Sequence, residues 1–134
     1  MIVVDTNVIA YLLVPGPHTA LAQATLRRDP LWAAPTLWRS ELRNVLVQYM
    51  RLRQMPLTKA VEIQGLAEAI FTGREYPANS ARVLEMTATS GCSAYDCEFV
   101  VIAQSLGVPL VTNDHQMLRA FSATAVSPSK FVGL

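Results

Sequence analysis

The stretch Ile2-Val3-Val4-Asp5-Thr6-Asn7 decides the fold. Three apolar residues, two of them a Val-Val pair, run straight into a carboxylate. A short unbroken apolar run of this kind reads as a strand covered on both faces, as in a parallel sheet. The period then changes, because Val8, Ile9, Leu12 and Leu13 fall at helical spacing. Asp5 therefore sits at a strand-to-helix junction, which in open α/β folds lies at the carboxyl edge of the sheet, where ligands bind. Taken alone, Asp5 or Thr6 reads more simply as a cap of the following helix, since both residue types are good N-caps. The later acids change that balance.

Outward from this stretch, Pro15-Gly16-Pro17 ends the first helix, and His18 to Arg28 reads as a second one, stopped by Asp29-Pro30. Leu31-Trp32-Ala33-Ala34 reads as a strand. Thr36 is expected to cap a long helix reaching about Gln54, whose apolar face is Leu37, Trp38, Leu42, Val45, Leu46, Tyr49 and Leu52. Further helices are expected over Thr58–Thr72, Asn79–Thr89 and Tyr95–Leu106, so the whole region from Thr36 to Gly91 reads as helical. The Tyr95–Leu106 helix is apolar almost all round, which predicts an interior position. Val108–Thr112 is a second clear core strand. A short helix follows Asn113-Asp114, and Thr124-Ala125-Val126 forms a last strand before Pro128. Strands alternating with helices predict an α/β domain with a mainly parallel central sheet covered on both faces.

The 134 residues fit a single domain spanning 1–134. At 51% hydrophobic and 16% charged, the chain is expected to be ordered, with apolar surface to offer a partner. A net charge of +1 excludes a broad electrostatic footprint for nucleic acid, so any such contact is local. Nine of the eleven basic residues are Arg, which suits bidentate phosphate contacts and is equally accounted for by codon bias. Cys92 and Cys97 form no CxxC pair and have no His at zinc-ligand spacing; they read as small buried hydrophobes in a reducing compartment. Neither a leader-like opening nor a run of membrane-spanning length is seen, so no membrane association and a cytoplasmic location are expected.

Of the ten acids, Asp29, Glu62, Glu68, Glu75, Glu85 and Glu98 read as solvated helix charges or caps. The other four need more. Glu41 lies at the margin of the buried face of the long helix, where a lone carboxylate is costly unless paired, protonated or bound to a cation. Arg39 and Arg43 are near in sequence, but neither is at the favoured spacing to Glu41. Asp96 opens the most apolar helix of the chain. Ser93-Ala94-Tyr95-Asp96 has the form of a capping box, which explains an acid at a helix start but not the core-like side it stands on. Asp114 follows the strand Leu110-Val111-Thr112 and repeats the arrangement at Asp5. Four carboxylates facing one cleft would repel one another, and a hard divalent ion with oxygen ligands, Mg²⁺ or Mn²⁺, would remove that repulsion. No His or Cys cluster favours a softer metal. Beside a phosphodiester, such an ion polarises the phosphate and activates water.

The order Val4-Asp5-Thr6-Asn7-Val8, Pro35-x5-Glu41-x2-Asn44-Val45-Leu46, Tyr95-Asp96 opening an apolar helix, and Leu110-Val111-Thr112-Asn113-Asp114 resembles PIN-domain proteins. In size and layout the chain is similar to the VapC-type toxins of bacterial toxin–antitoxin pairs. The resemblance runs from Met1 to Phe131. It implies a three-layer α/β/α sandwich and a Mg²⁺- or Mn²⁺-dependent endoribonuclease. The family's acids fall on Asp5, Glu41, Asp96 and Asp114, as catalytic and metal-holding residues. Thr6, Asn7, Asn44 and Thr112 fall at positions that orient the acids or water. The resemblance further implies a small antitoxin that covers the groove, and a homodimer.

RNA placement is expected to use Arg39 and Arg43, which are i,i+4 neighbours flanking Glu41, with Arg27-Arg28 as a second candidate, although ordinary solvated charge accounts for each as readily. Two other readings stay open. One is a protein-binding module of the same fold without significant catalysis. The other is a Mg²⁺-dependent phosphatase with Asp5 as nucleophile. That chemistry asks for a second Asp where the chain has Asn7, and for a Lys near the phosphate where it offers only Lys59 or Lys130.

Overall fold

The computed structural model describes residues 1–134. Five parallel strands form one sheet in the order β3-β2-β1-β4-β5. The strands are β1 (Ile2–Val4), β2 (Trp32–Pro35), β3 (Glu75–Tyr76), β4 (Leu110–Val111) and β5 (Ala125–Val126). β1 is central, with Val3 facing Ala33 of β2 on one side and Leu110 of β4 on the other. Every residue of β1, β2 and β4 is buried, as expected of strands covered on both faces. The helices are α1 (Thr6–Leu13), α2 (Thr19–Arg28), α3 (Trp38–Leu52), α4 (Leu57–Ile70), α5 (Ser80–Ser90), α6 (Ala94–Leu106), α7 (His115–Ala120) and α8 (Pro128–Phe131). α6 packs on β1, β2 and β4 with α5 behind it, while α1 gathers α2, α3 and α4.

This topology places the site. The first crossover leads from β1 to β2 on one side. The chain then returns across the sheet to β4, on the other side of β1. The strand order thus reverses between β1 and β4, the place where open α/β sheets bind ligands at the carboxyl ends. The residues after these two strands, Asp5 and Asp114, come from neighbouring strands about 4.8 Å apart.

The expected α/β architecture is the one observed, with four local corrections. The region from Thr36 to Gly91 is not all helical, because Glu75-Tyr76 forms β3 at the sheet edge, paired with Ala34 and Pro35. Thr36 does not cap the long helix. Its N–H donates to the Tyr76 carbonyl at 3.3 Å, and α3 starts at Trp38 with no side-chain cap. Leu52, assigned to the inner face, is 74% exposed at the last residue of α3. Finally, Pro128 starts a helix rather than merely ending a strand. Ser127 caps α8 by accepting from the Lys130 amide, and Pro at the first helical position has no amide to leave unpaired.

The core holds the two tryptophans. Trp38 and Phe71 lie with ring centroids 4.4 Å apart, and Trp32 and Phe71 at 6.5 Å, so Phe71 links β2, α3 and the end of α4. Burying aromatic surface of this kind contributes about 2–3 kcal/mol per side chain. Both cysteines are buried and free, as read from their spacing.

Candidate active site

Asp5 is 9% exposed and stands at the N-cap of α1 without a side-chain capping bond. Capping alone therefore does not account for this residue. Its Oδ2 accepts instead from the Thr112 hydroxyl at 2.7 Å, and its backbone N–H donates to the Val111 carbonyl at 3.1 Å. Thr112, fully buried, also accepts the Asp114 amide at 3.0 Å. One hydroxyl thus ties the ends of β1 and β4 together. On the opposite flank, the Thr6 hydroxyl donates to Glu41 Oε1 at 2.7 Å, which orients the half-buried Glu41 from the first residue of α1.

Asp96 enters from the first turn of α6. The capping there is done by Ser93, whose hydroxyl accepts the Asp96 amide at 3.0 Å. Asp114 does act as a cap, accepting the Met117 amide at 2.9 Å, with its second carboxylate oxygen left over. The local account thus holds for Asp114, is at most partial for Asp5 and fails for Glu41.

The four acids act on one another. Burial holds the Asp5 carboxyl above the usual carboxylate range, against the Thr112 bond and the Asn7 backbone, and the charges of Asp96 and Asp114 push it further up. Glu41 is raised by burial first, against the Thr6 bond, and then by the charges of Asp5, Asp96 and Glu98. Asp96 is raised by burial and by Asp114. No basic side chain lowers any of the three. The arrangement is a negative pocket in want of a cation.

Its donors are all oxygens, which suits a hard divalent ion. No three His, Cys, Asp or Glu side chains stand at the spacing of ligands sharing one ion. Mg²⁺ takes only one or two carboxylates directly while reaching others through its waters. By its chemistry, carboxylate oxygens without a competing nitrogen or sulfur donor, the set suits such an ion.

Other residues singled out in the sequence fare differently. Asn7 and Asn44 are exposed; Asn7 influences Asp5 through its backbone, and Asn44 bonds to none of the acids. Arg39 is committed elsewhere. Its guanidinium holds Glu75 through Nε at 2.7 Å and Nη2 at 2.8 Å, and Glu68 through Nη1 at 2.9 Å. Glu75, read as a solvated charge, also accepts the Trp38 indole N–H at 2.7 Å. Arg43 is exposed and makes no ion pair, so it alone of the two is free to meet a phosphate. Asp29 pairs with the N-terminal amine at 2.7 Å. The phosphatase arrangement is not met, because Asn7 occupies the second acid position and Lys59 faces Glu62.

Two neighbours of the acids were not singled out by sequence. The Tyr11 phenol is raised by burial and by the charge of Asp5, and its ring stacks on His18 at 4.5 Å. Glu98 acts on Glu41. The available signal was a charge inside the apolar run Cys97–Ala103, which solvation does not suit.

The class so defined is an α/β domain with a carboxylate pocket at the switch point of a parallel sheet. The PIN domain family matches residues 2–122, and the chain belongs to it. PIN domains are generally nucleases that use divalent metals. The fold is similar to PAE2754 from Pyrobaculum aerophilum, with TM-score 0.78 and 20% identity over 98% of this chain and 92% of that one. It is also similar to FitAcB from Neisseria gonorrhoeae, with TM-score 0.71 and 21% identity over 96% and 98%. A structure of FitAB bound to the IR36 DNA fragment gives TM-score 0.74 and 20% identity over 96% and 95%. No curated protein matches the chain. No helix is long and apolar enough to cross a membrane.

Proposed function

We propose that this chain is a Mg²⁺- or Mn²⁺-dependent endoribonuclease that works as a single cytoplasmic domain and as the toxin of a toxin–antitoxin pair. The observation that carries the chemistry is that Asp5, Glu41 and Asp96 are each raised first by burial and then by a neighbouring acid, with no basic group to offset it. Asp5 and Asp96 would hold the ion, with Glu41 and Asp114 completing the pocket directly or through water. When bound, the ion supplies Lewis-acid polarisation of the phosphodiester and a more acidic water. Thr112 fixes the Asp5 carboxylate and Thr6 fixes Glu41, so both present their free oxygens without reorganising. Arg43, on the same helix as Glu41, is placed to meet an RNA phosphate.

A protein partner is supported by a separate observation. A hollow of about 430 Å³ between α3 and α4 is lined by Leu46, Met50, Ala60 and Val61 together with Arg43, Gln64, Gly65 and Glu68, and Leu57 and Leu66 of α4 are exposed. This surface suits a small antitoxin segment, and a homodimer would cover further apolar surface. The similarity to FitAB bound to the IR36 DNA fragment supports a paired, nucleic-acid-linked role.

The test is RNA cleavage by the wild type and Asp5→Asn with Mg²⁺, Mn²⁺ or EDTA. Cleavage by the wild type with either ion, abolished by EDTA and by the substitution, supports the proposal. Undiminished cleavage by Asp5→Asn ends it.

A further inference from the structure

Glu98 stands two residues beyond Asp96 on α6 and is half-buried. Neither a hydrogen bond nor an opposing charge acts on its carboxyl. It lines a hollow of about 250 Å³ with Ala78, Ser80, Val83 and Leu84, from the approach to α5 and its first turns. Its charge acts on Glu41, so the hollow lies within electrostatic range of the acidic cluster. Glu98 is the one charged group in the lining.

We propose, resting on the nuclease reading above, that this hollow is a base-recognition subsite in which the Glu98 carboxylate accepts from the N1–H and N2 amino group of a guanine in single-stranded RNA. Size argues for one base. The hollow is smaller than the clefts of about 300–1,000 Å³ that enclose drug-sized ligands, and it is far too small for a helix. Charge argues for a donor edge. An unpaired carboxylate repels phosphates, so what it accepts from a polynucleotide is a hydrogen-bond donor, as Asp and Glu do from base amino groups. Guanine alone among the four bases offers two adjacent donors on its Watson–Crick edge, which match the two oxygens of a carboxylate. That edge is open in single-stranded RNA. Val83 and the exposed Leu84 supply the apolar wall for the ring face.

The experiment uses short oligouridylates carrying one guanine, or inosine or adenine in its place. Inosine lacks only the N2 amino group. Affinity is measured by fluorescence anisotropy on the Asp5→Asn protein, alone and combined with Glu98→Ala or Glu98→Gln, and cleavage is measured on the wild type. The guanine RNA should bind Asp5→Asn about tenfold more tightly than the inosine RNA, the scale of a bidentate base contact. Glu98→Ala should bring it down to the inosine value, and Glu98→Gln, which keeps volume and one acceptor, should fall between. Equal affinity for all three RNAs overturns the subsite. So does an equal loss on all three with Glu98→Ala, which is what a lost fold or a second cation held by Glu98 would give; melting curves with and without Mg²⁺ separate those two causes. Cleavage without guanine preference leaves the nuclease and removes the subsite. Guanine-dependent binding through Glu98 without cleavage does the reverse.

Discussion

The Thr112 hydroxyl reaches Asp5 Oδ2 at 2.7 Å across 107 residues of sequence. The same oxygen accepts the Asp114 amide, so a single buried group couples two acids from adjacent strands. Replacing it with the isosteric Val removes a donor to a buried carboxyl and an acceptor for an amide. Thr112→Val should therefore destabilise the protein by about 1–3 kcal/mol in denaturant unfolding. It should also lower kcat/KM for RNA, while Thr112→Ser restores both. Full activity in Thr112→Val would show that the coupling is structural only.

Asp5→Asn should separate stability from activity. The buried Asp5 carboxyl is raised by burial and by two neighbouring acids, so its charge opposes folding at neutral pH. Neutralising it should raise the Tm of the metal-free protein by a few degrees, the response of a domain this size to a change on the order of 1 kcal/mol, while abolishing cleavage. A lower Tm would contradict the electrostatic account.

The pH dependence of the metal-free protein follows from the same groups. A carboxyl raised in the folded state stabilises fully below its unfolded value and loses that contribution as pH rises through the folded one. Asp5, Glu41 and Asp96 are of this kind. Asp29 and Glu75 are lowered, Asp29 chiefly by the N-terminal amine and Glu75 by Arg39, so their contributions disappear only as pH falls below the ordinary carboxylate range. In EDTA the Tm should decline as pH rises above the ordinary carboxylate range of about pH 4. Mg²⁺ should flatten that limb by binding the folded state, by about 2.7 kcal/mol at a hundredfold excess over Kd. A Tm that climbs with that rise in EDTA would overturn the assignment.

The two arginines beside Glu41 should behave differently. Arg39 holds Glu68 and Glu75 together, so Arg39→Ala should lower Tm and leave the salt dependence of RNA binding unchanged. Arg43→Ala should leave Tm unchanged and reduce the slope of log affinity against log salt by about 0.7, one phosphate contact on a single strand. A smaller slope in Arg39→Ala would reverse their roles.

The sequence carried the sheet core well because β1, β2 and β4 are short apolar runs with sharp ends. β3 was invisible for a physical reason. Glu75 and Tyr76 are an edge pair with no apolar period, and their strand state comes from partners in β2. Asp5 and Asp114 could be placed by reading strand ends alone. What the sequence could not give is which acids find partners. Glu75 and Glu98 look alike on paper, yet the first is held by Trp38 and Arg39 and the second by nothing. Such pairing depends on contacts more than thirty residues apart in the chain, which local pattern does not encode.

The central place of β1 also has a temporal meaning. Made first, it gains β2 as an early neighbour, but its other flank stays open until Leu110-Val111 has been synthesised. Only then can Thr112 lock onto Asp5. The acidic cluster thus forms only after this strand has emerged, and a ribosome-bound fragment that stops before it holds Asp5, Glu41 and Asp96 without the hydroxyl that ties Asp5 in place.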